Sequence, residues 1–440
     1  MAMIEQYKQL LKDFVAFQSV STDTQFQPEI QKTVAWLQRV FGQNGFSVRI
    51  ITGYDNPLVI ASFVYDPALE TVLIYGHYDV QPAKVDEGWA SDPFTLTEMN
   101  RRLVGRGAID NKGQVLVHMV NVFEHIKSKT LGYNVKFMIE GNEETGSPLL
   151  EQFIASNSAL LAADFVLISD GEISGGKPNI EVGFRGGLNS VLTVKTSTTD
   201  LHSGLYGHSV PNAIHELSKV CADLYDANNR IVVPGFYDDV DSVSDDVKKA
   251  NQAIPFSLEE HKRISGAKIL LTEPGIDFYT QVGLLPAIEV TTIVGGYMGQ
   301  GFRNGIPATA TAKINFRLVA RQNPTKIAKA FEKYVRSILP AYVDFTFEFK
   351  TPYNASKIDT KNKYVERAQK VLEVAYGSTP IYKYVGGGLP MVNSFEKALK
   401  IPSVLVPLAN EDCAMHAANE NFALTNVEQA LRFSALFLGK

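Results

Sequence analysis

Short, largely apolar runs recur at positions 71–75, 135–139 and 165–168, the first rich in β-branched residues and the second broken only by Lys136. A run of that length with no polar alternation fits a strand covered on both faces. Amphipathic patterns over 4–15 and 30–41 predict helices, and a further helix over 114–126 separates the first two strands. The alternation predicts an α/β domain with a mostly parallel sheet and helices on both faces. A chain of 440 residues exceeds what one hydrophobic core usually serves, so two domains are expected.

The rhythm changes in the middle of the chain. Strands at 188–195, 287–294, 310–318 and 345–349 and helices at 213–225 and 326–338 follow the order β-α-β-β-α-β, the ferredoxin-like arrangement. A stretch over 232–285, rich in Asp, Lys and Pro, interrupts that order. After residue 352 the α/β pattern returns, with a helix at 363–374, a strand at 403–406 and a helix at 427–437. The expected organisation is a catalytic domain (1–185 and 353–440) split by an inserted α+β domain (186–352).

Composition removes several function classes. A net charge of −5 provides no basic face for nucleic acid. No apolar stretch approaches the roughly 20 residues of a membrane span. The N-terminus, Met-Ala-Met-Ile-Glu-Gln, does not resemble a secretory signal. Two cysteines far apart, Cys221 and Cys413, exclude a disulfide framework and point to a reducing, cytoplasmic location. Cys413 lies close to His416, but a free cysteine is most often a small buried side chain.

Chemistry collects where the apolar runs end. Gly76-His77-Tyr78-Asp79, Glu140-Gly141-Asn142-Glu143-Glu144 and Ser169-Asp170-Gly171-Glu172 each place acids or a histidine just after a strand. Asp110 stands in a glycine-rich turn before a helix, and His416 follows the late strand. A lone acid after a strand is usually a turn or capping residue. In an open α/β sheet, however, residues beyond the carboxyl ends of the strands share one edge, and so many acid-tipped ends are not explained one at a time. Two imidazoles and several carboxylates suit a pair of divalent ions, zinc first, with manganese or cobalt as substitutes. Two like cations about 4 Å apart also need a carboxylate between them. Of the adjacent pair Glu143 and Glu144, one can bind metal while the other serves as a general base.

These segments resemble the M20 metallopeptidase family, and within it the carnosinase-like dipeptidase branch, over nearly the whole chain. The resemblance is carried by Gly76-His77-Tyr78-Asp79-Val80-Gln81-Pro82, by Gly105-Arg106-Gly107-Ala108-Ile109-Asp110-Asn111-Lys112-Gly113 and by Glu140 to Ser147. It implies that His77 and Asp170 hold one metal, Glu144 and His416 the other, and that Asp110 bridges them. It further implies Glu143 as general base, Asp79 as an acid orienting the site from behind, and a cis peptide between Asp110 and Asn111. In the inserted domain, Asp200-Leu201-His202-Ser203-Gly204 resembles the segment whose histidine reaches a partner subunit's active site. A homodimer is therefore implied, with His202 stabilising the oxyanion and the inserted domain serving as lid and dimerisation unit. Asn304 and Arg317 resemble residues that hold the substrate carboxylate, for which a planar guanidinium is suited.

One segment departs from the pattern. Relatives of this branch usually carry Gly-Gly-Ser-Ile-Pro where this chain has Gly386-Gly387-Gly388-Leu389-Pro390, so Gly388 offers only its backbone. The expected activity is hydrolysis of small peptides with a free C-terminus, most naturally dipeptides, by a metal-bridging water and Glu143. Deacylation of N-acyl amino acids or a glutamate carboxypeptidase-like reaction would use the same chemistry. A non-catalytic binding protein of this fold would have lost ligands, yet each ligand position is filled.

Overall fold

The first apolar run forms the strand Thr71–His77, buried from Val72 to His77. In the computed structural model, which describes residues 2–440, it lies inside a six-stranded sheet. The strand order is Ser47–Ile51, Leu58–Phe63, Asn134–Glu140, Thr71–His77, Phe165–Ile168, Ser403–Leu405. The last four run parallel, while Ser47–Ile51 and Leu58–Phe63 add antiparallel. The sheet is thus mixed, and the expectation of a mostly parallel sheet holds only for its central and far strands. The two antiparallel strands share a hairpin connection, which needs no crossover helix.

Helices supply the second layer of packing. Lys112–Ser128 is buried from Lys112 through Phe123, with Ala2–Val15 and Leu424–Leu438 packed against it. Gln27–Gln43, with proline in its first turn, packs on the two antiparallel strands. One continuous apolar core joins these elements, including Phe14, Phe41, Phe123, Phe137, Phe165 and Phe437. Lys112 lies wholly inside it. Its Nζ donates to Phe14 O at 3.1 Å and Phe17 O at 2.7 Å, and burial brings its pKa down to about 7.

A second core stands apart from the first. It lies under a four-stranded antiparallel sheet ordered Ala287–Gly295, Thr309–Leu318, Gly186–Lys195, Asp344–Tyr353. Helices Ala213–Ala222 and Pro324–Ile338 pack on this sheet, burying Leu217, Val220, Phe331 and Val335 against Leu192 and Phe316. Asn323 caps the second helix by accepting from Lys326 N–H, and Pro324 opens its first turn. This unit has the β-α-β-β-α-β order that the sequence predicts, and its four strands pair antiparallel. The 232–285 stretch carries three helices, Asp245–Gln252, Leu258–Ser265 and Phe278–Leu284. The last of them packs back on the strand Ile381–Val385 of the other core.

The histidines without a motif take structural roles where they are buried. His118 lies fully inside the first core, with Nδ1 3.0 Å from Ser434 Oγ and Nε2 2.9 Å from Ser169 Oγ. Burial depresses its pKa from 6.5 to about 3. The unfolded chain therefore takes a proton near pH 6.5 that the folded chain refuses until about pH 3. The contribution to stability is complete above the unfolded value and is lost as the pH falls toward the folded one. Urea titrations at pH 7.5 and pH 5 are expected to show a loss of about 2 kcal/mol from this group. In His118→Gln the loss over that pH interval is expected to shrink by that amount; an unchanged pH dependence would refute the assignment.

Candidate metal centre

The parallel strands deliver their acids to one edge. His77 ends its strand and lies opposite Glu140 in the ladder. Asp170 follows Phe165–Ile168 by two residues. Asp110 sits just ahead of the helix Lys112–Ser128, and the Asp110–Asn111 peptide is cis. Glu143 and Glu144 begin a single 3-10 turn after Asn134–Glu140. His416 comes from the loop after Ser403–Leu405, with φ 58°.

Two groups of donors result, and they share one residue. His77, Asp110 and Asp170 form the first; Asp110, Glu144 and His416 form the second. His77 Nε2 is 3.1 Å from Asp110 Oδ1 and 3.6 Å from Asp170 Oδ2. His416 Nε2 is 2.7 Å from Asp110 Oδ2 and 3.3 Å from Glu144 Oε2. Asp110 thus offers one oxygen to each group.

The surroundings orient these donors. His77 Nδ1 lies 3.1 Å from Asp79 O; a proton donated there leaves the Nε2 lone pair facing Asp110 and Asp170. Asp79 is buried and accepts from the backbone N–H groups of Glu143 (3.2 Å) and Glu144 (3.1 Å) and from Ser21 Oγ. Gln81 donates to Glu144 Oε2 at 2.7 Å. The loop carrying Asp110 is tied down by Glu420, which is fully buried. Glu420 accepts from the N–H groups of Gly107, Ile109 and Asp110 and pairs with Arg106 at 2.6 Å. Neither Glu420 nor Arg106 belongs to the residues the sequence singles out. An acid four residues past His416 carries no spacing cue for such a task.

The donor set fits a pair of cations. His77 Nε2 and Glu144 Oε1 are among the buried polar atoms that lack a hydrogen-bond partner, and each belongs to a residue of one donor group, where a cation would satisfy it. Imidazole nitrogens with carboxylate oxygens are the ligands that borderline divalent ions take. With protein groups alone, burial and then the negative charges of Asp170, Asp110 and Asp79 hold the Glu143 carboxyl well above its usual range, against the pull of His77. Asp170 is likewise raised by burial. Hydrogen bonds to Asp110 and Glu144 push His416 up to about 10. For His77, burial alone would favour the neutral ring, but Asp110, Asp170 and Asp79 raise it. Protons and cations therefore compete for one electron-rich cluster.

Other residues stand at different distances from this cluster. Glu143 lines a cavity of about 430 Å³ together with Ser147, Tyr353, Asn354, Met391 and Lys397. His202 and Asn304 lie together on the second sheet domain: His202 pairs with Gly305, and Asn304 O accepts from Ser203 N and Oγ. Both are exposed, and neither belongs to the two donor groups. Arg317 donates to Tyr353 Oη at 3.2 Å. Gly388 lies beneath the same tyrosine. Cys413 is buried, its thiol pushed up to about 12 by burial, which disfavours the thiolate.

Comparison with known proteins agrees with this geometry. The profile of Peptidase family M20/M25/M40 matches residues 73–440. A human Beta-Ala-His dipeptidase is 30% identical, with 99% of this chain and 90% of the relative aligned. A Cys-Gly metallodipeptidase of Candida albicans is also 30% identical, over 94% of this chain and 90% of its own. The solved structure of an M20 family metallo-carboxypeptidase from Sulfolobus solfataricus superposes with a TM-score of 0.87 at 27% identity, covering 98% of both chains. A family profile matched over most of the length, together with relatives aligned nearly end to end, makes this chain a member of peptidase family M20/M25/M40.

Proposed function

We propose that this M20 metallopeptidase is a dipeptidase that hydrolyses the amide bond of small peptides with a free C-terminus. One arrangement carries the reading: two donor groups joined by Asp110, with Glu143 beside them on a cavity wall. The names of the relatives, a Beta-Ala-His dipeptidase and a Cys-Gly metallodipeptidase, support the substrate class. His77, Asp110 and Asp170 would hold one divalent ion, and Asp110, Glu144 and His416 the other. Zinc suits the set, with manganese or cobalt as substitutes. When bound, the two ions would polarise the scissile carbonyl and acidify the attacking water.

The remaining work falls to side chains. Glu143 takes a proton from water as it attacks the carbonyl carbon, then passes it to the amine as the C–N bond breaks. Asp79 orients the site through the His77 ring and the Glu143 and Glu144 amides. His202 acts in the site of a second copy. Its Nδ1 accepts from Gly204 N–H at 3.0 Å, so the ring proton sits on Nε2, free to donate to the developing oxyanion. Arg317 and Asn304 grip the substrate carboxylate, and Gly388 contributes through its backbone.

The division into a catalytic unit (1–185 and 353–440) and an inserted lid and dimerisation unit (186–352) is supported by the two separate cores. A homodimer is supported by apolar side chains exposed in the segments that carry His202 and Asn304: Leu205, Tyr206, Tyr297, Met298 and Phe302. Such surface is suited to burial against another copy. Two unpaired cysteines support a cytoplasmic location, and among the described residues no helix is long and apolar enough to cross a membrane.

A second reading, a carboxypeptidase acting on longer peptides, draws on the Sulfolobus structure. Initial rates with zinc, manganese or cobalt on dipeptides, longer peptides and N-acetyl or N-succinyl amino acids separate the two. Dipeptides are expected to lead; preference for the acylated amino acids would instead make the enzyme a deacylase. Glu143→Gln is expected to lower kcat by about 10³-fold while the protein still binds two metal equivalents by elemental analysis. Full turnover in that variant would remove Glu143 as the base. Mixing subunits of His202→Ala with subunits of Glu143→Gln, each nearly inactive alone, is expected to regain activity, because each hybrid dimer holds one intact site. No recovery after confirmed subunit exchange would place His202 outside the partner's site.

A further inference from the structure

We propose that Tyr353 is a specificity-determining residue of this site, one that sets Arg317 for the carboxylate of the substrate and closes the space above Gly388. The inference rests on the dipeptidase reading above, in which Arg317 meets that carboxylate.

Tyr353 is the last residue of Asp344–Tyr353, after the register irregularity that follows Lys350. It pairs laterally with Gly187, and Gly187 pairs on its other side with Arg317. The three residues form one row across the sheet, with a glycine in the middle. A Cβ at position 187 would stand 3.2 Å from Tyr353 Oη. Because that side chain is missing, the guanidinium can reach over the central strand and donate Nη1–H to the phenol oxygen at 3.2 Å. That bond uses one of five N–H donors and fixes the plane of the fork. A carboxylate needs a pre-oriented fork of this kind for two parallel hydrogen bonds.

The same ring lies over the glycine loop. A Cβ built on Gly388 would fall 2.6 Å from Tyr353 Oη and 2.8 Å from Arg185 O. A side chain at 388 would collide with the tyrosine ring as well as with the Arg185 carbonyl, so glycine there is part of what leaves room for Tyr353. Arg185 pins the loop from the other side, donating Nε–H to Gly386 O at 2.7 Å and its backbone N–H to Gly387 O. Burial, and then the neighbouring charge of Arg317, bring Arg185 down to about 10; two cations this close favour an anion between or beside them. Tyr353 also lines the cavity that holds Glu143. A single phenol thus stands between the proposed carboxylate grip and the proposed base.

The test compares a dipeptide, by kcat and KM, with the matching dipeptide amide, by its inhibition constant, on the metal-loaded enzyme. Tyr353→Phe keeps the ring and deletes the hydroxyl. It is expected to raise the KM for the dipeptide about five- to tenfold, to leave kcat nearly unchanged, and to leave the amide's inhibition constant where it was. A purely structural role would move both ligands together. Gly388→Ala is expected to raise KM as well, and adding Tyr353→Ala to it should cost less than the product of the two single effects. If Arg317→Ala raises the dipeptide KM while Tyr353→Phe changes neither ligand, or both equally, the role of Tyr353 is overturned and the dipeptidase reading stands. If Arg317→Ala leaves the dipeptide KM unchanged, the carboxylate grip fails and this proposal fails with it.

Discussion

Asp110 is a buried carboxylate held between two imidazoles, and the rest of the centre is arranged around that fact. Its two oxygens face different histidines, 3.1 Å and 2.7 Å away. Burial would push its proton affinity up, yet the neighbouring rings of His416 and His77 hold it below the usual carboxylate range. Asp170 and Glu143 beside it go the other way. Negative charge gathered at this density is stable only with positive charge in its midst. Cations answer that demand without the geometric ambiguity of protons.

Keeping such a cluster in register requires rigid support, which comes from a layer of buried polar groups behind the ligands. Glu420 fastens the backbone N–H groups of Gly107, Ile109 and Asp110 ahead of the helix at Lys112. Asp79 joins the first strand end to the second through two amide hydrogen bonds. Glu140 is buried and bridges Tyr75 and Ser147 at 2.6 Å each, with its pKa raised to about 7 by burial. Groups of this kind hold ligand side chains in the orientation binding needs. The junction to the inserted sheet is anchored in the same manner, through Arg185 and its contacts with Gly386 O and Leu285 O.

Much of this was legible in the chain. Apolar runs at 71–75, 135–139 and 165–168 correspond to strands, because a strand buried on both faces leaves no alternative pattern. The antiparallel strand Ser47–Ile51 was not legible, although its partner Leu58–Phe63 carries an apolar run of the same kind at 58–61. Ser47–Ile51 is half-exposed along its length, so it lacks a continuous apolar run, and its pairing is decided by the neighbouring strand. The 232–285 stretch showed only a change in composition, whereas the contact of Phe278–Leu284 with the strand Ile381–Val385 depends on surfaces nearly a hundred residues apart. Glu420 and Tyr353 were missed for a related reason. A lone acid or tyrosine has no spacing that announces its partner.

The sequence by itself determined which residue types stand at the strand ends, and hence the class of chemistry: two histidines and a set of carboxylates following buried strands suit paired divalent ions. It also determined the order of elements in both halves of the chain. The tertiary structure brought the ligands into two groups with Asp110 in both, the grouping that the family resemblance implies, and placed His202 and Asn304 outside them, at a separate two-stranded ladder. It alone brought Arg317, Tyr353 and Gly388 together. The physical reason is the range of the forces involved. Strand and helix patterning acts between neighbours in the chain, while a metal centre and a carboxylate grip need atoms within a few ångströms that are up to three hundred residues apart.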